Sequence, residues 1–188
     1  MRNHPHLFTN IKNNKKQMSC ILSTGYTIGC KTQAGVQKVF IGSWNDTSLT
    51  YTLGTNSIIT GFGGATTSFY TFQQPIETSS FTAPAEVNTE NNAIQYNQTL
   101  SITVQGMNAA LLNQIKILGQ GVWRVLILDK NGAYFLMGKS GPVQVSAIEA
   151  GLGKAGTDLS GATITFTAKE DQALSEVESA AALTLITA

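Results

Sequence analysis

The chain has 188 residues and a mass of 20.0 kDa, enough for one domain with a substantial core and too little for two comfortable ones. Its apolar fraction is ordinary at 42%, but only 12% of residues are charged, against about 25% in typical soluble proteins. That balance excludes a disordered chain, no apolar run approaches the ~18 residues of a membrane helix, and so little charge points to surface covered by other subunits.

The formal net charge of +1 is unevenly spread. Residues 1–17 hold Arg2, Lys12, Lys15 and Lys16 and no acid, a charge of +4, so the remainder from Met18 onward carries −3. No apolar segment follows these basic residues, and the leader is therefore not read as a secretory signal. Two readings of it stand: a basic arm reaching a partner or nucleic acid, or an extension ahead of a true start at Met18. Cys20 and Cys30 allow at most one disulfide, and a reducing compartment with free thiols is the expectation. Both histidines, His4 and His6, lie in the leader and there is no Cys-x-x-Cys spacing, so no metal site is expected.

Cys20 to Ile28 and Val36 to Gly42 read as strands punctuated by glycines. From Leu49 to Asn92 the pattern weakens. Ser57 to Thr60 and Thr67 to Phe72 suit strands, with Gly61-Phe-Gly-Gly64 between them as a turn. The expectation for 54–92 is a long loop or extended hairpin, anchored by Phe62, Phe69, Tyr70 and Phe72, which become candidate contacts between subunits. Trp44, at a strand end, is either core or a further interface anchor.

Alternation strengthens at Ile94. Ile94, Tyr96, Leu100, Ile102 and Val104 share one face, broken by Gln98, while Ala93 to Thr103 at odd positions form a polar face. A single helix is expected over about 108–118, with Asn108 as its N-cap and Leu111, Leu112, Ile115 and Leu118 as its apolar stripe. Gly119 and Gly121 supply its stop. Val122 to Leu128 is nearly continuous in apolar residues, as in a strand buried on both faces, and Trp123 within it reads as core. Asp129-Lys-Asn-Gly132 then makes a hairpin turn and Ala133 to Gly138 returns. Val143 to Ile148 is another strand, and Gly151 to Gly161 a glycine-rich loop. Ala162, Ile164, Phe166 and Ala168 point inward from a strand whose outward positions are Thr163, Thr165 and Thr167. Glu170, Asp171, Glu176 and Glu178 read as a solvated face, and Ala180 to Ala188 as an edge strand or an arm docked on a neighbour. The sum is a mainly β sandwich or barrel with one flanking helix.

Enzyme chemistry finds no foothold in these residues. Nucleophilic hydrolysis needs a base beside the nucleophile, and both histidines sit in the leader. The eleven acids are scattered, with no pair set up for glycoside cleavage. Neither Gly61–Gly64 nor Gly151–Gly156 carries the phosphate-loop pattern, and both read as turns in a β protein. No catalytic residue, cofactor or membrane contact is expected.

The stretch Met18-Ser-Cys-Ile-Leu-Ser-Thr-Gly-Tyr26 with Cys30-Lys-Thr-Gln-Ala-Gly-Val-Gln-Lys-Val-Phe-Ile41 resembles the start of structural proteins of phages infecting Bacteroides-type bacteria. The strand ending Leu100-Ser-Ile-Thr-Val104, the helix, Val122 to Leu128, Asp129 to Gly138 and Thr163 to Glu170 are similar to the later part of the same proteins. The arrangement is similar to tail-tube proteins of long-tailed phages. That resemblance implies one domain over 18–188, hexameric rings stacked around a channel, and double-stranded DNA passing through without specific binding. It also implies contacts with other virion proteins, assembly in the host cytoplasm and a place in the virion tail. A capsid decoration or head–tail ring protein is the alternative, and a carbohydrate-binding module the third. A tube subunit polymerises into tubes, a decoration protein stays small and binds capsids, and a sugar binder exposes aromatics on a β face.

Overall fold

The computed structural model describes residues 25–26, 32–44, 49–64, 68–155 and 157–187. The chain divides into two units, Met1–Lys31 and Thr32–Ala188, and the architecture below belongs to the second. Of the first unit only Gly25 and Tyr26 are described. The leader residues Arg2, Lys12, Lys15 and Lys16 and the expected Cys20–Ile28 strand lie outside the described residues.

In chain order the strands are β1 (Val36–Ser43), β2 (Thr50–Leu53), β3 (Ile59–Gly63), β4 (Phe69–Phe72), β5 (Ser80–Thr82), β6 (Ala85–Asn88) and β7 (Ala93–Gln105). After helix α1 (Ala109–Gln120) come β8 (Trp123–Asp129), β9 (Tyr134–Met137), β10 (Gln144–Gly151), β11 (Gly161–Glu170) and β12 (Ser175–Val177). Helix α2 (Ser179–Leu183) and β13 (Ile186–Thr187) follow. They build an eight-stranded sheet, ordered β13-β4-β1-β8-β9-β12-β3-β2, and a five-stranded sheet, ordered β10-β11-β7-β5 with β6 also on β7. Among the described residues the outermost strands have one neighbour each, so neither sheet closes. The fold is mainly β and sandwich-like, and the barrel alternative does not hold.

Alternation decides which residues meet between the sheets. Leu100 and Ile102 of β7 and Ala162, Ile164 and Phe166 of β11 are fully buried against Val39, Ile41, Val125, Ile127 and Met137 of the larger sheet. Burying such side chains contributes roughly 1.5–3 kcal/mol each, so this layer dominates the stability. The opposite face of the larger sheet is also covered. Phe40, Leu126 and Leu136 pack there with Ile59, Phe69 and Val177, and Ala181, Ala182 and Leu185 of the C-terminal segment join them. That second core is why Val125, Leu126 and Ile127 are all buried, and it makes β8 the two-sided strand its sequence describes.

Helix α1 forms as its cap indicates: the Asn108 side chain accepts from the Leu111 N–H at 2.8 Å, and Gly121 ends it by donating to Ile117. It docks shallowly. Leu118 is its buried residue, whereas Leu112 and Ile117 stay exposed. The β8–β9 turn is held by Asp129, whose Oδ1 accepts from Asn131 N at 2.9 Å and Ala133 N at 2.8 Å. Positive φ falls on Gly132 (+87°) and not on Asn131, the pattern of a longer hairpin loop that ends in a glycine bulge.

Four expectations change. Segment 54–92 is not one projecting hairpin: β3 and β4 enter the eight-stranded sheet, and β5 and β6 pair with β7. The strand expected over Ser57 to Thr60 starts later, at Ile59, because Ser57 ends a 3-10 turn over Thr55–Ser57, and Gly61 and Gly63 lie inside β3 opposite Thr52 and Thr50 instead of forming a turn. A second helix, α2, precedes β13, with Ala181 and Ala182 of its alanine-rich run Ser179–Leu183 packed into the second core. The end of the chain then forms an edge strand on its own subunit, with Ile186 opposite Phe69 in parallel. Ile94, placed by parity on the apolar face, is 53% exposed, because its cross-strand neighbour is Val87 of the exposed β6.

Candidate functional site

Since even positions of β7 and β11 face the core, their odd positions face away from it, and register sets them in rows. Thr163 stands opposite Thr103, Thr165 opposite Ser101, and Thr167 opposite Thr99. On the far side of β7, Ser80 continues the Ser101 row and Thr82 the Thr99 row. Neighbouring strands are about 4.8 Å apart and same-face residues about 6.8 Å apart along a strand, so hydroxyls line the face, except at Thr103, which is buried and donates its hydroxyl to Thr78 O at 3.4 Å. The middle of the face carries no charge. Its ionisable groups lie at the rim: Lys169 opposite Asn97, Glu149 opposite Thr163 and Glu86 opposite Gln95. A groove of about 480 Å³ opens at one end of this face between Thr99, Thr167, Gln144 and Lys169. No aromatic side chain lines it, so it offers no stacking platform for a sugar ring.

The sheet edges are the second feature. The short edges β2 and β13 bound the larger sheet, whereas the five-stranded sheet ends on β10, which is eight residues long. Its sequence, QVSAIEAG, holds one acid and no lysine, although a register shift between Val145 and Ala147 interrupts its ladder with β11. Exposed edges usually carry blocking charges, and this one has little of that protection.

A buried polar cluster lies at one end of the sandwich. Arg124 is 3% and Glu170 4% exposed. The Glu170 carboxylate accepts from Ser140 N at 3.0 and 3.1 Å and from Gly141 N at 3.1 Å, fixing the loop between β9 and β10. The Arg124 guanidinium stacks 4.0 Å from the Trp44 ring centroid. Tyr51 donates its hydroxyl to Lys139 O at 3.2 Å. Burial pushes the Tyr51 phenol above its ordinary value, opposed by the Arg124 charge, while the Glu170 charge pushes it further up and the hydrogen bond with Arg124 draws it down. Nearby, Gln98 is 2% exposed and donates to Gln172 O at 3.1 Å and Ala173 O at 2.9 Å, tying the β11–β12 connection to β7.

The residues singled out as inter-subunit anchors do not form one patch. Phe69 is fully buried in the second core of its own subunit, which corrects its assignment: it has no surface to offer a neighbour. Phe62 is half-buried and meets Tyr51 edge-on at 5.8 Å, and Phe72 packs against the inter-sheet core. Trp44 is half-buried under Arg124. Tyr70, 60% exposed on β4, keeps an open face. Trp123 is half-buried against the inter-sheet core, and its ring N–H donates to Leu118 O at 2.9 Å.

Glu170, read from the sequence as part of a solvated acidic face, instead continues the inward series Ala162, Ile164, Phe166 and Ala168 by two positions; parity was the available signal and residue type concealed it. Gln98, read as a break in the apolar face of β7, sits on that inward face and is buried there.

Among the described residues, no group of three or more His, Cys, Asp or Glu side chains could hold a metal ion, and no helix is long and apolar enough to cross a membrane. Compared with protein-family models, with curated proteins and with solved structures, the chain has no match.

Proposed function

We propose that this protein is a virion structural subunit that polymerises into the tail tube of a long-tailed phage, as hexameric rings stacked around a channel for double-stranded DNA. The observation that carries the reading is the five-stranded sheet: one face is core, the other is hydroxyl-lined and uncharged at its centre, and its β10 edge has no further strand partner among the described residues. A sheet with that edge extends into a neighbour by main-chain hydrogen bonding, and the low charge of the chain, 12%, suits a surface spent on contacts with further copies. Ring formation joins sheets edge to edge, and stacking of rings uses the loops at the ends of the sandwich. Other virion proteins then cap the tube at its two ends.

The test is negative-stain electron microscopy of the purified full chain, alongside light scattering. Long tubes of uniform width are the expected result. A stable monomer at high concentration and physiological salt overturns the proposal. Compact rings or trimers that bind capsids and never elongate favour the decoration reading instead.

A further inference from the structure

Of the asparagines in the sequence, only Asn131 is followed by a glycine. That dipeptide is the most reactive setting for loss of a side-chain amide, because no Cβ on the glycine shields its backbone nitrogen from the asparagine Cγ. Asn131 and Gly132 both lie exposed in the β8–β9 turn, where water reaches them.

The fold holds both reacting groups. Gly132 N–H, the nucleophile, donates to Asp129 O at 3.2 Å. The Asn131 amide is held three times: Oδ1 accepts from Gln33 N at 3.0 Å, and Nδ2 donates to Gln33 O at 2.9 Å and to Asp129 Oδ2 at 2.8 Å. The side chain thus clamps the backbone of Gln33 from both sides, as a neighbouring strand would. It prolongs the pairing of β1 with β8 beyond Val36, which stands opposite Asp129, and beyond the bond from Lys130 N to Gly35 O at 3.2 Å. Residues 32–35 are all exposed, so hydrogen bonds and not apolar burial hold them against the turn.

We propose that Asn131-Gly132 is a self-modification site gated by the Gln33 clamp, and that its reaction makes opening of the clamp permanent. While the clamp is closed, the amide is held away from reaction and persists. When it opens, Gly132 N bonds to Asn131 Cγ as the Cγ–Nδ2 bond breaks. The proton of Gly132 N leaves with Nδ2 as ammonia, and a succinimide ring remains. Water opens the ring at either carbonyl, which leaves aspartate or isoaspartate at position 131. Neither product rebuilds the clamp. A carboxylate oxygen now stands where Nδ2 donated, facing Gln33 O and the like charge of Asp129. Isoaspartate also adds a methylene to the main chain of the turn. Residues 32–35, ahead of β1, therefore stay released. This inference is independent of the tail-tube reading.

The test is incubation of the full chain at neutral pH, native and urea-unfolded, with the fate of Asn131 followed by peptide-mapping mass spectrometry and isoaspartate-specific methylation. Three hydrogen bonds on one amide favour the closed clamp by about tenfold or more, so the native chain should lose the amide slower than the unfolded chain by at least that factor. Gln33→Pro removes the donor to Oδ1 and should recover most of the difference at an unchanged urea midpoint. Asp129→Asn, which sets an amide donor against Nδ2, serves if the proline variant fails to fold. In deamidated native chain, hydrogen exchange should accelerate at the Gln33 and Lys130 amides and stay unchanged at Ala133, whose bond to Asp129 Oδ1 lies outside the clamp. Equal rates in native and unfolded chain, or folded variants as slow as the parent, overturn the gating. A deamidated chain whose Lys130 amide stays protected overturns the release. An unfolded chain that keeps its Asn131 amide overturns the site itself.

Discussion

Replacing Glu170 by alanine probes the buried polar cluster without touching the apolar core. The carboxylate is 4% exposed and satisfies two backbone donors, Ser140 N and Gly141 N, through contacts of 3.0 to 3.1 Å. A hydrogen bond to a charged acceptor contributes roughly 1.5–3 kcal/mol, and each buried N–H left unpaired costs about as much. Two such donors put the expected loss at about 4 kcal/mol, or a fall in Tm of roughly 8–16 °C for a domain of this size. Glu170→Gln is the informative control. Its Oε1 still accepts from both N–H groups, its amide opposes only the second contact to Ser140, and a loss of about 1 kcal/mol is expected. The assay is urea unfolding at high dilution, followed by the fluorescence of Trp44 and Trp123 with m held common across variants. An alanine variant within about 0.5 kcal/mol of the parent refutes the reasoning. Equal losses for alanine and glutamine refute the donor count and assign the effect to the carboxylate's charge.

Two further predictions follow from the glycine loop and the sheet it joins. A Cβ at Gly161 would lie 2.1 Å from Val104 O and 3.0 Å from Gln105 Cα, so Gly161→Ala forces β11 away from β7 and costs on the order of 1–3 kcal/mol; an unchanged urea midpoint contradicts the Gly161–Gln105 register. Asp158 accepts from Ala155 N at 2.7 Å and Lys154 N at 2.8 Å, and these bonds hold its carboxyl below the ordinary value. A depressed folded value means that the loop's stabilisation is present above the unfolded value of about 3.9 and lost as pH falls through the folded one. The Lys154 and Ala155 amide NMR signals should therefore shift on acidification, and Asp158→Asn should abolish that shift.

What the sequence determined by itself was local. Strict alternation over Ala162 to Ala168 set the faces of β11, because a side-chain period of two leaves no freedom once one face is apolar. Asn108 and Gly121 set the ends of α1, and Asp129 with Gly132 set the hairpin, because caps and turns use chemistry within a few residues. The continuous apolar run of β8 announced burial on both faces. What only the tertiary structure decided was partnership at a distance. Segment 54–92 is polar and weakly periodic, and its strands exist because β1, β2, β7, β12 and β13 supply their hydrogen bonds. Phe69 looked like an exposed anchor until the C-terminal segment with Ala182 and Leu185 closed over it. The outward rows were legible strand by strand as threonines and serines, but their alignment across β11, β7 and β5 is a matter of register, fixed by pairs as far apart in the chain as Thr99 and Thr167. Glu170 and Arg124 show the same limit. A charge is affordable inside only where its partners are delivered, and those arrive from the β9–β10 loop and from Trp44 and Tyr51, which no local pattern brings together.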